Sequence, residues 1–359
     1  MASSMSTPSE LVADPVFQLN SLLWLTQPLP AGSGIRPVLR EQGYEVDAIG
    51  PSITLPLDIL LLVKDSGLPH QDHIRPDVVL CRQTDRRYGV MECKGNSFGP
   101  DSSTSKQART LLLAVGLRLD EALGLQTGTI SRNTAAYLVP SQAAMEMGVT
   151  LQTLGAELSA KGLRSGASCV LALEPDTTSL SLVADDSARD FFGLPESKVD
   201  FLILEEGTDP RPLYFIPYDP DCSQSEEEGA YCKRVLFERI LASLLGAAGR
   251  ALPPAELPFD AVDLLNDATL GMYGLWENKD SAKHMRHLLT RHLLPKLQGI
   301  LRNEGGNVFQ FVENRGWTLQ VPTESAKDAI CNALSKFSCE TMDLRQEPEP
   351  TLFDGLSDD

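Results

Sequence analysis

Three residues in this sequence have the types and spacing to do chemistry: Asp77, Glu92 and Lys94. Glu92 and Lys94 stand two apart, so on a strand both side chains point to the same face. Residues 77–81 (DVVLC) and 88–93 (YGVMEC) both read as strands, and the polar QTDRR between them suits a hairpin turn. If the strands pair, two carboxylates and an ammonium converge at one end of a sheet. Hydrolysis of a phosphodiester needs such a set. Hard oxygen ligands hold Mg²⁺ or Mn²⁺. The metal stabilises charge developing on the phosphate and lowers the pKa of a bound water. A lysine nearby orients the water or neutralises the transition state. The backbone carbonyl of Cys93 lies between Glu92 and Lys94 and could complete the metal shell, its thiol being expected to turn toward the core.

These groups need a scaffold. Residues 35–42 read as a short helix stopped by Gly43, and 44–49 alternate as a strand. The apolar run 55–63 is open to either assignment, because periodicity does not decide it. Residues 68–74 form a polar loop, and 95–105 a Gly/Ser/Pro-rich one. Ala108, Leu111, Leu112, Val115, Leu119 and Ala122 then fall at helical spacing, after a Ser/Thr-rich start and before Gly124. Strands are expected at 134–139, 169–173, 199–204 and 213–216, with a helix at 151–161. This alternation favours an α/β class.

In this context, Pro76-Asp77 with Glu92-Cys93-Lys94 resembles the PD-(D/E)xK nuclease superfamily, over residues 35–140. The resemblance implies a restriction-endonuclease-like mixed sheet flanked by helices. It implies a helix, a hairpin bearing the motif, a helix packed on the sheet and a further strand, here 35–42, 44–94, 106–123 and 134–139. It also implies that Asp77 and Glu92 bind the metal, that Lys94 assists the water and that Gln107 supports the site. Members often carry a Glu on the first helix, for which Glu41 is the nearest candidate. The implied activity is a metal-dependent deoxyribonuclease, in bacterial phage defence or restriction. Two alternatives are a non-catalytic scaffold subunit of a DNA-processing or defence complex, and an RNase with the same site.

The charge bears on partners. The 359 residues carry a formal net charge of −18, with 42% hydrophobic and 22% charged residues. This suits a folded chain of two or three domains and excludes one that coats nucleic acid non-specifically. The acid is not evenly spread. Residues 141–278 hold 23 acidic against 9 basic side chains, while 279–315 hold 7 basic against 3 acidic. A protein this acidic is expected to bind DNA with help from a protein partner or a second copy. No run of 18 apolar residues occurs and no signal peptide is evident; the seven scattered cysteines form no CxxC. A cytoplasmic location without membrane contact is expected.

The domain reading is an N-terminal extension (1–34), a nuclease-like α/β domain with its extension (35–218), an acidic linker and helix (219–258), a winged-helix-like domain (259–338) and an acidic tail (339–359). The winged-helix expectation comes from a helix at 260–273, a basic helix at 280–302 interrupted by Pro295, a hairpin at 307–321 and a last helix at 323–337. On that reading Lys283, Arg286 and Arg291 are candidate phosphate contacts. Weaker signals have plainer readings. His70, Asp72 and His73 read as solvated loop residues, and Asp185, Asp186 and Asp190 as a helix start. Thr351-Leu352-Phe353 loosely resembles the short motifs that bind bacterial sliding clamps, against the simpler reading of a tail without function.

Overall fold

The computed structural model describes residues 8–28, 33–203, 210–220, 225–305, 307–312 and 316–336. The acidic tail and residues 313–315 of the expected hairpin turn lie outside the described residues. The chain forms two compact units, one of residues 1–214 with 275–278, the other of 215–274 with 279–359.

The first unit is a mixed α/β body around seven strands: β1 (Glu45–Ile49), β2 (Val78–Arg82), β3 (Arg87–Cys93), β4 (Arg132–Pro140), β5 (Ser168–Pro175), β6 (Ser179–Ala184) and β7 (Lys198–Ile203). They lie side by side in chain order. β1, β2 and β3 run antiparallel, β3, β4 and β5 parallel, and β5, β6 and β7 antiparallel again. A parallel pair needs a crossover. Helix α3 (Ser103–Leu117) supplies the first and α4 (Ala144–Ala160) the second. The central strands are apolar and buried along almost their whole length, as expected for strands covered on both faces.

Helix α1 (Pro15–Thr26) lies in the stretch read as an extension. Asp14 caps it, its carboxylate accepting from Phe17 N–H at 2.7 Å, and Pro15 occupies the first turn, where its missing N–H costs nothing. Every residue of α1 except Pro15 is buried. The expected helix at 35–42 is a single turn, Val38–Glu41, followed by Gly43 at φ +84°. The ambiguous run resolves as a helix, α2 (Leu57–Ser66), in which Ile59 and Val63 are buried while Leu57, Leu61 and Leu62 are exposed.

One expectation is corrected, and one strand was not foreseen. Residues 213–216 form no strand; Arg211–Leu213 is a 3₁₀ turn. Prolines at 210, 212 and 217 flank this apolar run, and Tyr214 packs its ring against Phe17 and Trp24. Strand β6 had no counterpart in the sequence reading. Ser181 is in fact buried, donating to Asp200 Oδ1 at 2.5 Å.

In the second unit a long helix, α6 (Glu226–Arg250), precedes a strand, β8 (Ala255–Phe259). Then come α7 (Ala261–Ala268), a continuous helical stretch over 279–305, the hairpin β9 (Phe309–Val312) and β10 (Gly316–Val321), and a last helix over Glu324–Lys336. The three strands form an antiparallel sheet in the order β8-β10-β9. β8 was read as a proline-marked boundary; as an edge strand it tolerates Pro258. The stretch over 279–305 does not break at Pro295. It widens into a π-helical turn at Leu288–Leu293, just ahead of the proline, whose ring and missing N–H disfavour a regular turn there.

Candidate functional site

The hairpin forms as expected, with Val78 opposite Met91 and Arg82 opposite Arg87. The open end is closed by Asp77, whose N–H donates to the Met91 carbonyl at 3.1 Å. Its carboxylate Oδ2 accepts from Cys93 N–H at 2.6 Å, which draws it across the end of β3. Glu92 is 1% exposed. Its Oε2 lies 2.9 Å from Lys94 Nζ, and its Oε1 accepts from Gln107 Nε2 of α3 at 2.7 Å. Asp77, Glu92, Cys93, Lys94 and Gln107 are therefore gathered at one place.

The electrostatics follow from burial. Burial pushes the Glu92 carboxyl up to about 8; Lys94 opposes this, and Asp77 adds to it. Burial likewise raises Asp77 above its ordinary value, against the pull of Lys94. For Lys94 burial works to lower the pKa, but Glu92 and Asp77 outweigh it and the net direction is up. Cys93 is half-buried as a residue. Burial, then Asp77 and Glu92, push its thiol well above its ordinary value, so it is no ready thiolate. One ammonium thus faces two carboxylates, and both remain shifted toward the protonated form. Burial is the main cause, and a cation bound there would pull both down.

Two residues join the group that were not singled out in the sequence. Tyr137 stands opposite Glu92 in the parallel β3–β4 register and is 1% exposed. Burial, and after it Glu92 and Asp77, raise its hydroxyl well above its ordinary value. Gln18 of α1 is fully buried and donates through Nε2 to the Lys94 carbonyl at 3.0 Å. The Asp14-Pro15 pair, a capping residue before a first-turn proline, was the readable signal for the helix that carries it.

Other candidates stay apart. Glu41 pairs with Arg36 on the surface. His70 and Lys64 both approach Asp72, and His73 Nδ1 is 3.2 Å from Ser52 Oγ. Asp185 caps the helix Asp186–Phe192 (α5), accepting from Ala188 N–H at 2.6 Å, and Asp190 pairs with Arg132. Among the described residues, no group of three or more His, Cys, Asp or Glu side chains could hold a metal ion. Any metal here must rest on the Asp77 and Glu92 pair with other oxygens. In the second unit Lys283 and Arg286 are half-buried, while Arg291, Lys296 and Arg302 are exposed.

No family model, no curated protein and no solved structure matches this chain. Among the described residues, no helix is long and apolar enough to cross a membrane.

Proposed function

We propose that the chain is a metal-dependent endonuclease that hydrolyses phosphodiester bonds in DNA, with its site at Asp77, Glu92 and Lys94. The observation that carries this reading is the meeting of two shifted carboxylates and one ammonium at the end of a buried hairpin. The order of elements supports it as well: motif-bearing hairpin, α3, β4 follows the order that the resemblance implies.

The donor set suits a hard divalent cation. Mg²⁺ is usually held by one or two carboxylates, with water and substrate phosphate filling the remaining positions. Asp77 and Glu92 supply two, and the Cys93 carbonyl is the third candidate oxygen. Their raised pKa values come first from burial, and a bound cation would favour the ionised form of both. When bound, Mg²⁺ or Mn²⁺ would stabilise charge on the phosphate and acidify a water. The chain's own residues do the rest. Gln107 fixes Glu92 Oε1, so the carboxylate keeps one orientation. Lys94 stays charged and sits beside both carboxylates, where it can orient the attacking water or neutralise the transition state.

The second unit supports DNA as the substrate. Helix, strand, helix, helix, two-stranded hairpin, with the first strand pairing the last, is a winged-helix-like order. Arg291, Lys296 and Arg302 lie exposed along its long basic helix and suit phosphates. A role in phage defence or restriction rests on the resemblance alone. The test is Mn²⁺ titration followed by electron paramagnetic resonance. Wild type should bind one ion, and Asp77→Ala should bind it at least about tenfold more weakly. Equal binding by both proteins would remove the metal from this site.

A further inference from the structure

Gln18 lies 76 positions before Lys94 in the chain, yet it is fully buried and its Nε2 reaches the Lys94 carbonyl at 3.0 Å. The same nitrogen donates to the Val12 carbonyl at 2.8 Å. The amide therefore bridges the entry to α1 and the end of β3. Its Oε1 is buried and has no hydrogen-bond partner. The orientation of the amide is thus set by its two donated hydrogen bonds alone.

The neighbouring residue adds an independent constraint. A Cβ on Gly95 would lie 2.5 Å from the Ala13 carbonyl oxygen, so the backbone there touches the segment before α1 with no room for a side chain. On its other side, Lys94 N–H donates to the Leu138 carbonyl of β4 at 2.9 Å. The main chain at Lys94 is therefore held through both its N–H and its C=O, one by the sheet and one by α1.

We propose that Gln18 is a positioning residue for Lys94, so that residues 12–18 complete the site. By fixing the Lys94 carbonyl, Gln18 fixes the direction in which the side chain leaves the strand, and hence the approach of Nζ to Glu92. For what Lys94 does, this rests on the nuclease reading; for where Lys94 is held, it stands by itself.

The test is competitive acetylation of the full chain with trace acetic anhydride, read by mass spectrometry at Lys94 and, as an internal reference, at exposed Lys106. In wild type Lys94 should react more slowly than Lys106. Gln18→Leu should speed Lys94 by about fivefold, the change expected on loss of one hydrogen bond, with Lys106 unchanged. Gln18→Met keeps the length but has no donor and should act likewise; whichever variant keeps a cooperative unfolding transition is read. Asn20→Leu is the control: Asn20 sits on the same helix, donates to Val16 at 2.8 Å, and should leave Lys94 unchanged. An unchanged Lys94 rate in a folded Gln18 variant, or an equal rise in Asn20→Leu, would overturn the proposal. Cleavage separates the two readings. Gln18→Leu should lower kcat in the wild type and cause no further loss in Lys94→Ala. A wild type that neither cuts DNA nor binds Mn²⁺ defeats the nuclease reading and leaves the acetylation result standing.

Discussion

Lys94 Nζ lies 2.9 Å from Glu92 Oε2, and that carboxylate is 1% exposed. A single ammonium thus partners a carboxyl that burial drives up to about 8, with Asp77 close enough to drive it further. The pH behaviour of the site follows from this pair.

The first prediction concerns pH. A carboxyl whose folded pKa is raised stabilises the fold fully below its unfolded value of about 4.3, and that contribution is lost as pH rises through the folded value. For Glu92 the loss runs up to about pH 8, and Asp77 shifts in the same direction. In EDTA, Tm should therefore fall as pH rises across this window. Glu92→Gln should flatten the decline, and an undiminished slope in that variant would contradict the assignment.

Gln107 tests the support of the carboxylate. Its Nε2 holds Glu92 Oε1 at 2.7 Å. Gln107→Leu should lower metal affinity or cleavage by about 10–100-fold, the usual effect of losing a partner behind a metal ligand. Mn²⁺ titration and initial rates read this directly.

Arg109 tests the loop that joins β3 to α3. It is 3% exposed, and its guanidinium donates to Glu157, to Ser105 and to the Pro100 carbonyl. Arg109→Leu should cost about 3 kcal/mol, toward the lower end for a broken buried pair because Glu157 is partly exposed. Urea unfolding should show a lower midpoint with an unchanged slope.

How much of this was legible depended on how local the signal was. The hairpin was readable because two apolar runs, a polar turn and the Glu92–Lys94 spacing lie within one short segment. Gln107 followed from resemblance. Helix α1 was not readable from periodicity, since it is buried all round and has no polar face to set a period. For the same reason Gln18 was not singled out. Helix α2 defeats the pattern in the opposite way, with Leu57, Leu61 and Leu62 facing solvent. Strand β6 was hidden by Ser181, a buried residue that the sequence cannot distinguish from a loop serine.

The basic helix of the second unit yields a salt-dependence prediction. Replacing Arg291, Lys296 and Arg302 together by Ala should weaken duplex binding and reduce the salt slope by about 0.9 for each phosphate that is no longer neutralised. Fluorescence anisotropy at several salt concentrations reads both quantities. An unchanged slope would remove these three residues from the DNA path.

The most direct measurement is cleavage of supercoiled plasmid by the purified full chain in Mg²⁺, comparing wild type with Asp77→Ala and Lys94→Ala under identical conditions. Wild type should nick or linearise the plasmid, and each variant should be slower by at least about 100-fold, the scale of losing one electrostatic group at a reacting centre. Equal rates for wild type and both variants would contradict the account.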